Sequence, residues 1–285
     1  MASDTVAFQQ SFSTKHPEFI QAAQAAANLA EEIFADTNGA ALTLPQVVCR
    51  ALAQTVLNSF YSMTVLAQHG CGVDAQKIVR SMFETSVVLT SFDHFPGLIQ
   101  DFMDFRWIKK MKAIKEYKGT PKEAYVTPEL ESEITAQYDL VFPRFLNKKG
   151  KPRSSWYCGS FKDLCAALDK DSVQMPWAVV QYADHYSISS GLMHGDIIGL
   201  ESQADSSGYN VVRPPSDEYI TESLMSGHWA LWWALASYAS LAGLAKAQDY
   251  GNQLAKGFSD VWGDGSRELD EAKKALAATS SSKVK

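Results

Sequence analysis

Ser223-Leu-Met-Ser-Gly-His-Trp-Ala-Leu-Trp-Trp-Ala-Leu-Ala-Ser-Tyr-Ala-Ser-Leu-Ala-Gly-Leu-Ala245 carries no formal charge over a length that would suit a membrane span. Its content points elsewhere. Alanines, four serines, two glycines and His228 keep it only weakly apolar, and Trp229, Trp232, Trp233 and Tyr238 are not divided between two ends as membrane-interface aromatics are. The segment reads as a central helix buried among other helices, and no membrane partner is expected.

Helical signals extend over most of the chain N-terminal to it. An alanine-rich pattern runs from about Thr14 to Ala35. Thr43, with Pro45 in the first turn, opens a second helix that stops at Gly70. Asp74 is placed to cap a third, which reaches toward His94-Phe-Pro96, and a fourth follows Pro96 to about Tyr117. Thr127-Pro128-Glu129 starts a fifth, ending near Phe145, and Ser160-Phe-Lys-Asp163 is a capping box for a short sixth. Gln174 to Met193 forms the seventh, followed by Gly195, and Ser216-Asp-Glu opens the long eighth. No stretch alternates apolar and polar residues as a strand does. The fold expected is an all-α bundle of about eight helices. It reads as a single domain over residues 1–265, with the Trp-rich helix 216–248 packed on the rest and a flexible tail over 266–285.

A chain of 285 residues with 46% apolar content can bury a large core, and its net charge of −6 gives no bulk attraction to nucleic acid or anionic lipid. Cys49, Cys71, Cys158 and Cys165 are scattered without a C-x-x-C pair, which fits free thiols in a reducing compartment. Met1-Ala-Ser-Asp-Thr lacks the basic and apolar run of a secretion signal, so a cytoplasmic location is expected.

Chemistry concentrates in Tyr182-Ala-Asp-His-Tyr186-Ser-Ile-Ser-Ser190-Gly-Leu-Met-His194-Gly195. Tyr186, Ser190 and His194 recur every four residues, so on a helix they span about 80° of one face. The third helix carries Arg80 and Glu84 one turn apart among Ile78, Val79, Met82, Phe83, Val87, Val88 and Leu89. Burying that pair is costly without polar partners, and the polar face of the seventh helix is the richest supply. Arg80, Glu84, Tyr186 and His194 are therefore expected to converge. Asp101, Asp104 and Arg106 on the fourth helix are available as pairing partners.

Arg80-Ser-Met-Phe-Glu84-Thr-Ser, Asp101 to Trp107, Ser155-Trp156 and Tyr186-x-x-x-Ser190-x-x-x-His194-Gly195 together resemble a bacterial family catalogued as domain of unknown function 5677, over about residues 45–200. The resemblance implies a helical fold, names no reaction, and puts Arg80, Glu84, Tyr186, Ser190 and His194 in one neighbourhood.

Each candidate has a plain alternative. His194 could transfer a proton, since a histidine changes charge near neutrality, or it could bond the last carbonyls of its helix. Ser190 as a nucleophile lacks a G-x-S-x-G elbow. His185 and His194 point to different faces of their helix, and no H-E-x-x-H or E-x-x-H occurs, so neither a metal nor another cofactor is implied. Two functional classes stand. The first is a non-catalytic binding or assembly module whose buried Arg80/Glu84/Tyr186/His194 cluster specifies packing, alone or in a homodimer. The second is a metal-independent RNase-like toxin or phage-defence effector using Arg80 and His194. It departs from the HEPN pattern, in which a histidine follows an arginine after four to six residues, because no arginine here has one at that spacing. The basic loop Asn147-Lys-Lys-Gly-Lys-Pro-Arg153 would offer the RNA contact. A small anion held by Arg80 between the helices is a further, smaller possibility.

Overall fold

The computed structural model describes residues 2–171, 177–194 and 214–263. It is helical throughout: α1 Ala2–Lys15, α2 Pro17–Asp36, α3 Leu44–Gln68, α4 Gly72–His94, α5 Leu98–Tyr117, a 3₁₀ turn Pro121–Tyr125, α6 Pro128–Val141, a 3₁₀ turn Phe142–Phe145, α7 Phe161–Asp171, α8 Trp177–Gln181, a π turn Tyr182–Tyr186, α9 Ser187–His194, α10 Ile220–Leu241 and α11 Ala247–Trp262. Among the described residues the β pairing is a lone bridge, Leu146 with Pro152. Gln174, where the seventh helix was expected to start, residues 195–213 and residues 264–285 lie outside the described residues.

Start and stop chemistry behaves as read. Thr43 and Gln46 form a full capping box at the head of α3, Thr127 caps α6, and Ser160 and Asp163 bond each other's backbone N–H ahead of α7. The Ser160 backbone bond, its hydroxyl and Lys162 hold the Asp163 carboxyl below its usual range. Three boundaries differ from expectation. The helix expected from about Thr14 starts at Pro17 as α2, because Pro17 can start a helix but forces His16 out of helical geometry, and α1 before it was not foreseen. The third helix begins at Gly72 rather than at an Asp74 cap. The eighth begins only at Ile220, after Tyr219 in the left-handed region at φ 58°, and Gly243 at φ 70° separates it from α11.

The chain divides into two compact units, Met1–Asp93 with Val180–Lys285, and His94–Val179. In the first, α10 is the central helix, buried over most of its length, with α2, α3 and α11 packed on it. No helix among the described residues is long and apolar enough to cross a membrane. His228 of α10 is ringed by Phe19, Phe60 and Phe258, and Trp262 of α11 donates to its Nδ1 at 3.2 Å. Burial holds this imidazole neutral, its pKa pushed down to about 4.

α4 and α10 run parallel along a seam of small residues joined by hydroxyl bonds. Ser223 donates to Gln76 at 2.9 Å, Ser86 to the Ala230 carbonyl at 2.7 Å, Ser237 to Thr90 at 3.0 Å and Ser240 to Asp93 at 2.7 Å. The seam is tight. A Cβ at Gly72 would stand 1.9 Å from the Glu218 carbonyl oxygen just ahead of α10, and α10 is equally close to α3, where a Cβ at Gly227 would stand 2.5 Å from the Met63 methyl. These bonds fix both the height and the rotation of α4, and so the direction in which Arg80 leaves it. The second unit has its own core, in which Phe105, Trp107, Ile108, Met111 and Ile114 of α5 meet Ile134, Val141 and Phe145.

Candidate functional site

The outward face of α4 presents Arg80 and Glu84 one turn apart, and Arg80 Nε donates to Glu84 Oε1 at 3.1 Å. The other guanidinium nitrogens reach the chain from Tyr182 to His194. Nη2 donates to the Tyr186 hydroxyl at 3.2 Å, and Nη1 lies 3.2 Å from His194 Nε2 and 3.6 Å from the Met193 sulfur. The guanidinium carbon stands 4.7 Å from the centroid of the Tyr186 ring, within cation–π range. Arg80, Glu84, Tyr186 and His194 thus converge on one cation.

Several local features put them there. The Asp169 carboxylate accepts from the N–H groups of Ala178 and Val179 at 2.8 Å each, which anchors the start of α8. Burial pushes the Asp169 carboxyl up, and those two bonds oppose the shift. The π turn then widens the helix where Tyr182 stacks on Tyr186, ring centroids 4.9 Å apart at 18°. From the core side, Trp233, Trp229 and Phe83 form a chain of ring contacts that ends on Tyr186. Burial first, then the charge of Glu84, raises the Tyr186 phenol above its ordinary value against the opposing bond and charge of Arg80. The phenol therefore stays protonated and serves as a fixed polar support.

The expectation of a buried cluster needs correction. The Arg80 side chain is 15% exposed, but that of Glu84 is 42% exposed, and Met193 and His194 are exposed. The partners approach α4 from its solvent side, so the cluster forms a wall open to water. Ser190 is half-buried. Asp101 and Asp104 both pair with Arg144 in the second unit, while Arg106 lies over the Trp107 ring at 4.9 Å. Trp156 packs edge-on against Phe102. The side chains of Asp184 and His185 lie outside the described residues. Burial pushes the thiols of Cys49 and Cys165 up, to about 11 and about 12, so neither is a nucleophile at neutral pH.

Next to the cluster is an open groove of about 520 Å³, with Thr55, Asn58 and Ser62 of α3 on one side and Lys77 and Ser81 of α4 on the other. Met193 contributes to its lining while touching Arg80. Sequence reading did not single out Met193, Tyr182 or this groove. The run Thr55, Asn58, Ser59, Ser62, a polar stripe on a helix with one charged residue, was the available signal for the groove. Nothing in the spacing announces a π turn.

Comparison with known proteins gives one match. A family model described as a family of unknown function, DUF5677, covers residues 46–210, more than half of the chain and all five candidate residues. No curated protein and no solved structure matches.

Proposed function

The chain belongs to the family of unknown function DUF5677, which names no reaction, and from the geometry of the cluster we propose a metal-independent, RNase-like phosphodiesterase in which Arg80 and His194 act together. The observation that carries this reading is the 3.2 Å approach of Arg80 Nη1 to His194 Nε2 at a solvent-facing edge beside a groove. With Arg80 as donor, Nε2 is an acceptor and Nδ1 carries the imidazole proton. A phosphate oxygen that takes over the Arg80 hydrogen leaves Nε2 free to accept a proton. In the reaction proposed, a ribose 2′-oxygen attacks the adjacent phosphorus while its proton passes to His194. The bond from phosphorus to the 5′-oxygen breaks, that oxygen takes a proton from water, and the hydroxide left behind takes the proton held by His194. Arg80 neutralises the charge gathering on the phosphoryl oxygens, Tyr186 and Glu84 hold the guanidinium, and Ser190 takes no part.

This reading goes with an intracellular setting, supported by four free cysteines, and with a toxin or defence role. A second reading has its own observation. Every nitrogen of Arg80 has a partner within the chain, and Glu84 already balances its charge, which is what a non-catalytic packing or assembly element, single or homodimeric, would need.

The experiment is incubation of purified protein with single-stranded RNA in EDTA, with the product ends analysed. Cleavage leaving 2′,3′-cyclic phosphate and 5′-hydroxyl ends is expected. It should fall at least a hundredfold in His194→Ala and Arg80→Ala and stay unchanged in Ser190→Ala, given the roughly 10²–10⁴-fold contribution of a positioned acid or base. No cleavage by the wild type, or full cleavage by His194→Ala, would leave the packing reading in its place.

A further inference from the structure

The acidity of the chain is unevenly distributed. Residues 94–179, the second unit, hold fourteen Lys and Arg against eleven Asp and Glu, a net charge of +3 in a chain of net −6. On α5, Arg106, Lys109 and Lys110 fall within about 100° of arc on the exposed face. None of the three is in an ion pair with a described residue, whereas Lys112 beside them pairs with Glu116 at 3.6 Å. Arg106 and Lys110 are held over the Trp107 ring, at 4.9 and 4.4 Å from its centroid, and that ring is buried in the unit's core. At the far end of α5, the 3₁₀ turn Pro121–Tyr125 packs on the helix and leaves Tyr125 77% exposed. Lys122 of the same turn lies over Tyr117, 5.4 Å from its centroid. At the near end, the Phe105–Phe145 ring contact and the Arg144 pair with Asp104 root the loop that carries exposed Lys148, Lys149 and Lys151.

We infer that the exposed basic face of α5, with Tyr125 at its end, is a binding track for single-stranded RNA. Cations in a row match a phosphate backbone, and an exposed ring offers a platform on which a base can stack. An anionic membrane fits less well, because the apolar side of α5 is already used inside the unit's core and has nothing to insert into lipid. The inference rests on the RNA reading above for its choice of polyanion, and it concerns binding alone.

The test is fluorescence anisotropy of a short labelled single-stranded RNA. It is run with the wild type and again in the His194→Ala background, so that binding is measured without cleavage. Lys109→Glu/Lys110→Glu should weaken binding by roughly tenfold or more and lower the slope of log affinity against log salt, by about one for each phosphate no longer neutralised. Tyr125→Ala should weaken binding at every salt concentration while leaving that slope unchanged. Circular dichroism checks that the exposed substitutions leave the helices intact. Equal affinity in the charge-reversal variant overturns the track, as does tighter binding to phosphatidylserine vesicles than to RNA. RNA binding without cleavage would sink the phosphodiesterase and leave the track standing. Cleavage unaffected by Lys109→Glu/Lys110→Glu would do the reverse.

Discussion

His228 and His194 belong to the same compact unit, and their surroundings assign them different work. His228 is 1% exposed, walled by phenylalanines, and tied by a single bond from Trp262. His194 ends α9 at the surface, in contact with a guanidinium. The core histidine has lost its freedom to charge and contributes shape and one acceptor. The edge histidine keeps its access to water and to any molecule in the groove. The contrast extends to their neighbourhoods. The core around α10 ties Ser223, Ser237 and Ser240 by hydroxyl bonds of fixed register, while Ser226 Oγ and Trp229 Nε1 are buried without a hydrogen-bond partner among the described residues. The edge around Arg80 uses long side chains that other ligands can rearrange.

The comparison can be broken in four places. The largest effect belongs to the core. Tyr238 is fully buried and donates to Thr37 at 3.0 Å, so Tyr238→Ala should cost about 3–5 kcal/mol in chemical denaturation. A loss below about 1 kcal/mol would mean the α10 core is loosely packed. Next is pH. Folding holds the His228 pKa at about 4 against about 6.5 in the unfolded chain, so the unfolded state binds the extra proton between those values. Its contribution is complete above pH 6.5 and is lost as pH falls toward 4, amounting to about 3 kcal/mol. A His228→Gln variant should show a flatter stability profile across that window, and an unchanged profile would contradict the burial argument.

The edge should respond less. Arg80→Ala removes a half-open network, and a loss of about 1–2 kcal/mol is expected, below the 3–5 kcal/mol typical of breaking a buried pair. A larger loss would place Arg80 with the core. Smallest of all, His194→Ala should shift stability by no more than about 0.5 kcal/mol. A melting temperature unchanged by that variant, alongside abolished RNA cleavage, would sharpen the division into core and edge.

Much of this was legible in the chain because capping is local. Thr43 with Gln46, Thr127 and Ser160 with Asp163 announce their helices through residues three apart, and the structure uses each as written. The uncharged run around Trp229 announced a buried helix for the same reason: its surroundings must be apolar over a whole length. Convergence of Arg80, Glu84, Tyr186 and His194 was also readable, since an arginine among apolar residues requires partners. Its depth was not, because exposure depends on which side of α4 the partners approach. The π turn is equally hidden. One residue of extra winding leaves no mark in spacing, yet it shapes the turn from which Tyr186 meets Arg80. Asp101 and Asp104 found Arg144, a residue about forty positions away that helical periodicity cannot link to them.

The seam between α4 and α10 has a consequence for how the molecule comes into being. Its bonds join residues 144–147 positions apart, so α4 finds its partner only after most of the chain exists. Closing so long a loop precedes the contacts that reward it, which makes this pairing a late event in folding. At about 5–20 residues per second, a ribosome needs on the order of ten seconds to add the residues between Gln76 and Ser223. During that interval α4 lacks the helix that sets its rotation, and Arg80 has no fixed direction. A chain halted at residue 210 would hold the whole family segment and still lack this constraint. The direction of Arg80 is therefore completed by α10, which lies outside the 46–210 segment that the family model matches.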